Sequence, residues 1–318
     1  MLLYNLSFYN RPMIAMLVSA FLKYRFSPAW LLALLLAAPV TMAKPRLLVS
    51  IKPLALIAQE VVGDKVTIDT LLPITASPHD YPLKVSDHKR IREADLVLWV
   101  GPALESFLAK PLRHLPEARQ LSSYLLKGID WPDMDDHSEH NHSHDHHHDD
   151  AHDPHLWLNP LNAAVIARAL AERLATLEPG HAAFFRQRAT AFAESMGALD
   201  RELRSAMAPL GNVGFAVYHE GYSHFVHHYG LRQLAYVTFV PEQRPGARHL
   251  AELRRVMAEG GECIFSEPYQ RSEHIDALAQ QLKLRQGQLD AIGSEKITTY
   301  PELIRGMGQD FSTCLAHR

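Results

Sequence analysis

Cysteine is nearly absent from this 318-residue chain, which has only Cys263 and Cys314. Two are too few for a disulfide scaffold or a cysteine-rich zinc module, so any metal chemistry must rest on imidazole and carboxylate. Aromatic residues are sparse at 8%, and the longest apolar run falls short of the about 20 residues a membrane span needs. Neither sign of charge dominates: 32 basic residues against 35 acidic give a net −3. That balance offers no electrostatic case for binding nucleic acid. A hydrophobic content of 47% and a charged content of 21% exclude a disordered or collagen-like chain. The length suits two ordinary domains or one large one. What the chain has in excess is histidine, with 20 residues unevenly spread.

Residues 1–43 contain no Asp or Glu and carry Arg11, Lys23 and Arg25. An apolar run begins at Trp30, and Thr41-Met42-Ala43 supplies small residues for cleavage. That order is a secretory signal peptide over 1–43, with a membrane anchor as the competing reading. The stretch before the apolar run is long, so Met13 and Met16 are alternative starts to Met1. No cysteine follows the run, which excludes a lipid on a new N-terminal Cys. The mature chain, with net charge −6, is expected to be soluble in an oxidising compartment such as a bacterial periplasm. There Cys263 and Cys314 are expected to pair. They lie 51 positions apart, and closing that loop is worth about 4 kcal/mol on the chain-entropy account.

The mature sequence alternates strands and helices. Strands are expected at 46–52, 66–72 and 96–100, with helices at 53–62 and, capped by Ser86, to Ala94. The second half repeats the pattern. It has strands at 213–218, 231–239 and 263–266, helices at 221–229 and 248–259, another helix ending at Leu282, and a last one at 301–315. Such alternation predicts parallel α/β sheets. Between the halves, Phe185, Ala189, Phe192, Met196, Leu199, Leu203, Met207 and Leu210 recur at steps of three or four, one face of a long helix. The expected fold is therefore α/β: two parallel-sheet lobes joined by one long helix, with a metal site in the cleft between them. The N-terminal lobe spans 44–178, the linking helix 179–209 and the C-terminal lobe 210–318. A linking helix of this kind restricts hinge motion more than extended strands would.

Residues 130–153 are a separate compositional block within the first lobe. The block holds nine acidic residues, no Lys or Arg, and His137, His140, His142, His144, His146, His147, His148 and His152. With almost nothing apolar to bury, it is expected to be a solvated, disordered insertion. Its imidazoles and carboxylates make it an auxiliary, low-affinity binder of zinc-like ions, because ordering the chain opposes each coordination event. His142-Ser-His144-Asp-His146 comes close to the H-x-H-x-D-H of metallo-β-lactamase-like hydrolases, but its spacing is wrong.

A preorganised site needs dispersed ligands, and open α/β sheets bind ligands beyond the carboxyl ends of their strands. His79 lies in the loop after the 66–72 strand, and His219 directly follows the 213–218 strand. His155 stands where the acidic block ends, and Asp290 closes a further strand at Gln288-Leu289-Asp290. These four residues are the candidate metal ligands. His224, His227 and His228, together with His88, His114, His181, His249, His274 and His317, read as surface histidines.

At these positions the chain resembles the zinc-specific periplasmic binding proteins of ABC transporters (ZnuA type), over essentially all of the mature sequence. The resemblance is carried by Leu72-Pro73 through His79-Asp80-Tyr81, Ala94-Asp95-Leu96-Val97, Trp99-Val100-Gly101-Pro102 and the His-rich insertion. His155-Leu156-Trp157-Leu158, His219, Pro245-Gly246-Ala247, Phe265-Ser266-Glu267-Pro268 and Leu289-Asp290 complete it. It implies metal ligation by His79, His155 and His219, with the fourth position taken by Asp290 or water. Where some zinc-binding members have Glu before the first histidine, this chain has Pro78, and the family's Leu-Asp-Pro-Leu-Gly stands as Leu-Asp-Ala-Ile-Gly. Asp80 and Glu220 are candidates to orient the imidazoles from behind.

Relatives that import manganese place a carboxylate at the position of His219. Three imidazoles suit tetrahedral Zn²⁺, whereas Mn²⁺ favours more oxygen donors. The expectation is a monomeric, non-catalytic carrier of Zn²⁺ that delivers its ion to the membrane permease of an ABC importer. Its ligands are neutral imidazoles, so affinity should fall as pH drops toward about 6.5. The alternatives are a secreted zinc hydrolase with a three-histidine-and-water site and Glu220 as its base, or a manganese-binding member of the same family. Surface adhesion is a third possibility that no residue specifically supports.

Overall fold

The computed structural model describes residues 43–132, 152–268 and 273–316. The signal peptide expected at 1–43 lies outside these residues except for Ala43, as do all the insertion histidines except His152.

The first half is built from β1 (Arg46–Val49), α1 (Lys52–Val62), β2 (Thr67–Thr70), α2 (Val85–Glu93), β3 (Leu96–Trp99), α3 (Ser106–Leu112) and β4 (Gln120–Ser122). Its sheet has the order β2-β1-β3-β4, and every pairing is parallel. β3 reads Leu-Val-Leu-Trp and is buried at every position, as a strand covered on both faces must be. Pro53 at the start of α1 fits a position whose N–H has no helical partner. The expectation that Ser86 caps α2 is corrected. The helix begins at Val85, because the Asp87 carboxylate reaches back to accept the Lys84 N–H at 2.9 Å. Tyr81 Oη donates to the same carboxylate at 3.2 Å.

The second half contains β5 (Gly214–His219), α6 (Ser223–Tyr229), β6 (Arg232–Thr238), α7 (Ala247–Gly260), β7 (Gly261–Ser266), α8 (Glu273–Leu282), β8 (Arg285–Gln288) and α9 (Tyr300–Leu315). The sheet order β6-β5-β7-β8 repeats that of the first lobe, again all parallel. Gly230, in the left-handed region at φ 65°, ends α6 and turns the chain into β6. Cys263 on β7 and Cys314 on α9 form a disulfide with a Cα–Cα distance of 6.2 Å, and Arg285 Nε donates to the Cys314 carbonyl at 2.8 Å.

Between the lobes run α4 (Pro160–Leu177) and α5 (Ala182–Met207), which pack side by side as a hairpin. All eight residues of the apolar stripe from Phe185 to Leu210 are buried. α4 has no counterpart among the helices expected from the sequence. Asn159 caps it by accepting the Leu161 N–H at 2.9 Å, Pro160 follows, and Ala163, Ala164, Ala167 and Ala171 form a small-residue face. The long helix is thus backed by a second helix along part of its length. Among the described residues, no helix is long and apolar enough to cross a membrane.

Candidate metal centre

In both sheets the parallel strands deliver their carboxyl ends to the cleft. After β2 the chain keeps pairing with β1 through Leu71 and Leu72. Pro73 has no N–H to continue the ladder, and the loop turns toward α2 with His79 in it. The His79 amide donates to Ser77 Oγ at 3.2 Å. His219 is the last residue of β5, and Glu267 immediately follows β7. β5 and β7 are neighbours at the point where the sheet order reverses, the place where such sheets form a crevice. His155 leads into a 3₁₀ turn, Leu156–Leu158, just before α4.

His79, His155 and His219 converge. One ligating nitrogen from each ring lies within 4.8 Å of the others. Among the described residues this is the only group of His, Cys, Asp or Glu that meets such a test. The ring centroids stand 5.0 Å apart for His155–His219, 5.2 Å for His79–His155 and 5.5 Å for His79–His219. His155 and His219 are buried, and the Nε2 of His79 is buried with no hydrogen-bond partner.

Carboxylates fix the tautomers of two of these rings. His155 Nδ1 meets Asp153 Oδ1 at 2.6 Å, and His219 Nδ1 meets Glu267 Oε1 in a short contact. A carboxylate can only accept here, so each ring donates from Nδ1 and turns the Nε2 lone pair inward. The two Nε2 atoms then stand 3.3 Å apart, acceptor facing acceptor. That arrangement is unfavourable unless a proton or a metal cation sits between them. Two nitrogens at 2.0–2.1 Å from a tetrahedral zinc are about 3.3 Å apart. The donor set therefore fits a tetrahedral cation. Gly221 completes the cradle, because a Cβ there would collide with His219 Nε2 and press on the His155 ring.

Titration follows the same division. Burial, reinforced by the charges of His155 and His219, pushes His79 down to about 2. Burial also pulls His219 down, but the Glu267 carboxylate outweighs it and leaves the ring above its ordinary value. Asp153 is held well below the carboxylate range. Burial opposes this, but the His155 ring and Ser223 overcome it.

The carboxylates behind the imidazoles are not the expected ones. Asp80 is exposed and turned to solvent. Glu220 accepts from Gln233 Nε2 at 2.7 Å and from Ser223 Oγ at 3.5 Å. It faces a separate groove beside β6, where burial pushes it up to about 7. Asp153 and Glu267 hold the positions that Asp80 and Glu220 had been expected to hold. Both had a signal in the sequence: Asp153 stands two residues before His155, and Glu267 follows a strand end as closely as His219 does. Asp290 lines the same cavity of about 80 Å³ as the three histidines, but its carboxylate is not part of their cluster. Its Oδ1 is turned back to accept the amides of Ile292 at 3.1 Å and Gly293 at 2.7 Å.

Of the expected surface histidines, His224 is buried and His228 is half-buried. His224 Nε2 meets the Asp153 carbonyl at 2.9 Å, and His228 Nε2 meets Asp200 Oδ1 at 2.6 Å. Only His227 of that helix is exposed. Polar partners on α4, α5 and the Asp153 segment account for the difference, because they let these rings pack inward.

Known proteins resemble the chain along its length. The family described as "Zinc-uptake complex component A periplasmic" matches residues 47–314. The high-affinity zinc uptake system protein ZnuA of Yersinia pestis is 33% identical over 302 residues, covering 89% of this chain and 95% of that protein. The ZnuA of Haemophilus ducreyi is also 33% identical over 302 residues, covering 89% and 97%. Among solved structures, a crystal structure of ZnuA superposes with TM-score 0.72 at 24% identity, covering 86% of this chain and 99% of that one. A ZnuA deletion mutant with zinc bound gives TM-score 0.72 at 23% identity, covering 87% and 100%. At these identities the superpositions show a shared fold.

Proposed function

Because the chain belongs to the zinc-uptake complex component A family, we propose that it captures Zn²⁺ in the cleft between its lobes and delivers it to an ABC-type permease. His79, His155 and His219 are the ligands. The observation that carries this reading is the pair of inward-facing Nε2 atoms 3.3 Å apart, with the unpartnered Nε2 of His79 beside them. Three imidazoles favour zinc over manganese. The fourth position goes to water or to Asp290, whose Oδ1 is held by the Ile292 and Gly293 amides.

The lobes are 44–178 and 210–318, joined by 179–209, and the α4–α5 hairpin keeps their relative motion small. The mature chain is a periplasmic monomer released from its signal peptide at 1–43. Its histidine run at 137–152 binds zinc weakly, for local capture or sensing. Enzymatic activity is not part of this reading. Glu220, the general base a zinc hydrolase would need, faces another groove and is bonded to Gln233 and Ser223.

Competition titration of the mature protein with zinc and manganese tests the proposal. Zinc is expected to displace manganese, and His219→Ala should lose the tight site. Tight zinc binding that survives His219→Ala would contradict the assignment.

A further inference from the structure

Chain order places two of the ligands, His79 and His155, in the first half of the molecule. The hydrogen bonds divide them differently. Asp153 Oδ2 accepts the Ser223 amide at 3.0 Å and Ser223 Oγ at 2.6 Å, both at the start of α6, and its carbonyl meets His224 Nε2 at 2.9 Å. Trp157 Nε1 donates to the Ala291 carbonyl at 2.8 Å, and Tyr300 Oη at the head of α9 donates to the Trp157 carbonyl at 2.6 Å. Among the described residues, the long-range hydrogen bonds of 153–158 thus end in the second half. The polar contacts of the His79 loop run the other way. His79 leans on Ser77, Ala76 on Pro73, and Tyr81 on Asp87, all within the first half.

We infer that Trp157 and Asp153 are positioning residues that fasten the His155 segment to the C-terminal lobe. His155 and His219 then form one preset pair, and His79 alone is brought to it by the N-terminal lobe. This rests on the zinc-carrier reading for its consequence, which is a release route. Separation of the lobes removes His79 first and leaves the ion on two imidazoles, each still backed by its carboxylate. Trp157 suits this role because it is fully buried and uses both its indole N–H and its carbonyl across the lobe boundary.

Amide hydrogen exchange on the metal-free mature chain tests the partition without zinc. Trp157→Phe keeps most of the ring packing and removes the N–H donor. Losing one buried hydrogen bond is expected to speed exchange in 153–158 and 289–293 by roughly tenfold, with residues 74–80 unchanged. Equal acceleration of 74–80, or none in 153–158, would overturn the proposal.

Zinc titration against a chromogenic chelator supplies the second readout. His79→Ala should keep a weak two-imidazole site, whereas His155→Ala should lose at least tenfold more affinity. Equal losses would also overturn it. If the unmodified chain takes up no zinc, the carrier reading fails, while the exchange experiment still decides how the segments are fastened.

Discussion

The two lobes repeat one sheet order, yet they hold their contributions to the cleft in opposite ways. In the N-terminal lobe the central strands β1 and β3 are apolar and buried while the edge strands β2 and β4 are polar and half-buried, and the ligand His79 sits on a long loop held by the Ser77 hydroxyl. In the C-terminal lobe the edge strand β8 is Arg-Gln-Gly-Gln and half exposed, and a disulfide ties β7 to α9. Its ligand His219 ends a central strand and is fixed by Glu267 and, through it, by Tyr222. The difference teaches that a well-packed lobe can present a loosely held ligand, and a cross-linked lobe a rigid one.

The largest expected break in this comparison is His219→Ala. It removes the ligand fixed most firmly, so zinc affinity should fall by roughly a thousandfold, about 4 kcal/mol, in competition titration. Replacing Cys263 and Cys314 together by Ser comes next. A closed loop of this length stabilises by about 4 kcal/mol on the entropy account, and measured values run from about 2 to 4 kcal/mol. Denaturation followed by hydrogen exchange should place the loss in β7, β8 and α9, leaving β1–β4 protected. Uniform loss across both lobes would mean that they are not independently secured.

The N-terminal lobe has a weak point of a different kind. Glu105 is fully buried, its Oε2 accepts the Val100 and Gly101 amides, and the Ser50 side chain stands beside the carboxyl. Burial pushes its carboxyl up from 4.5 to about 7. A raised folded pKa means that the contribution is complete below pH 4.5 and is lost as pH rises through about 7. The full shift corresponds to about 3 kcal/mol. Glu105→Gln should flatten this part of the stability–pH curve, measured by denaturant midpoints from pH 4.5 to 8. An unchanged slope would show that another group sets it.

The smallest effect is expected from Asp153→Asn. Removing the charge behind His155 should weaken zinc binding by about 10–100-fold, the usual cost of losing such a partner. A change below threefold would mean that the Trp157 contact alone sets the ring.

Much of this was legible in the sequence because it depends on local pattern. The stripe from Phe185 to Leu210 has helical period, the buried strands are short and apolar, and His79 and His219 follow strands whose ends must meet the cleft. α4 escaped notice because its packing face is largely alanine, which leaves little contrast between faces. The partner of His219 escaped for another reason. Glu267 reaches His219 across 48 positions, a pairing that follows from sheet order and that no local period encodes, whereas Asp153 stands only two residues before His155. Asp290, expected as the fourth ligand in alternation with water, lines the cavity, and its Oδ1 is engaged with its own loop.

The central claim is that three dispersed histidines, and not the run of eight, make the tight site. The most direct test is calorimetric zinc titration of the mature chain with residues 137–152 deleted. One tight site should remain and the weak ones should vanish. Loss of the tight site in that deletion would contradict the account.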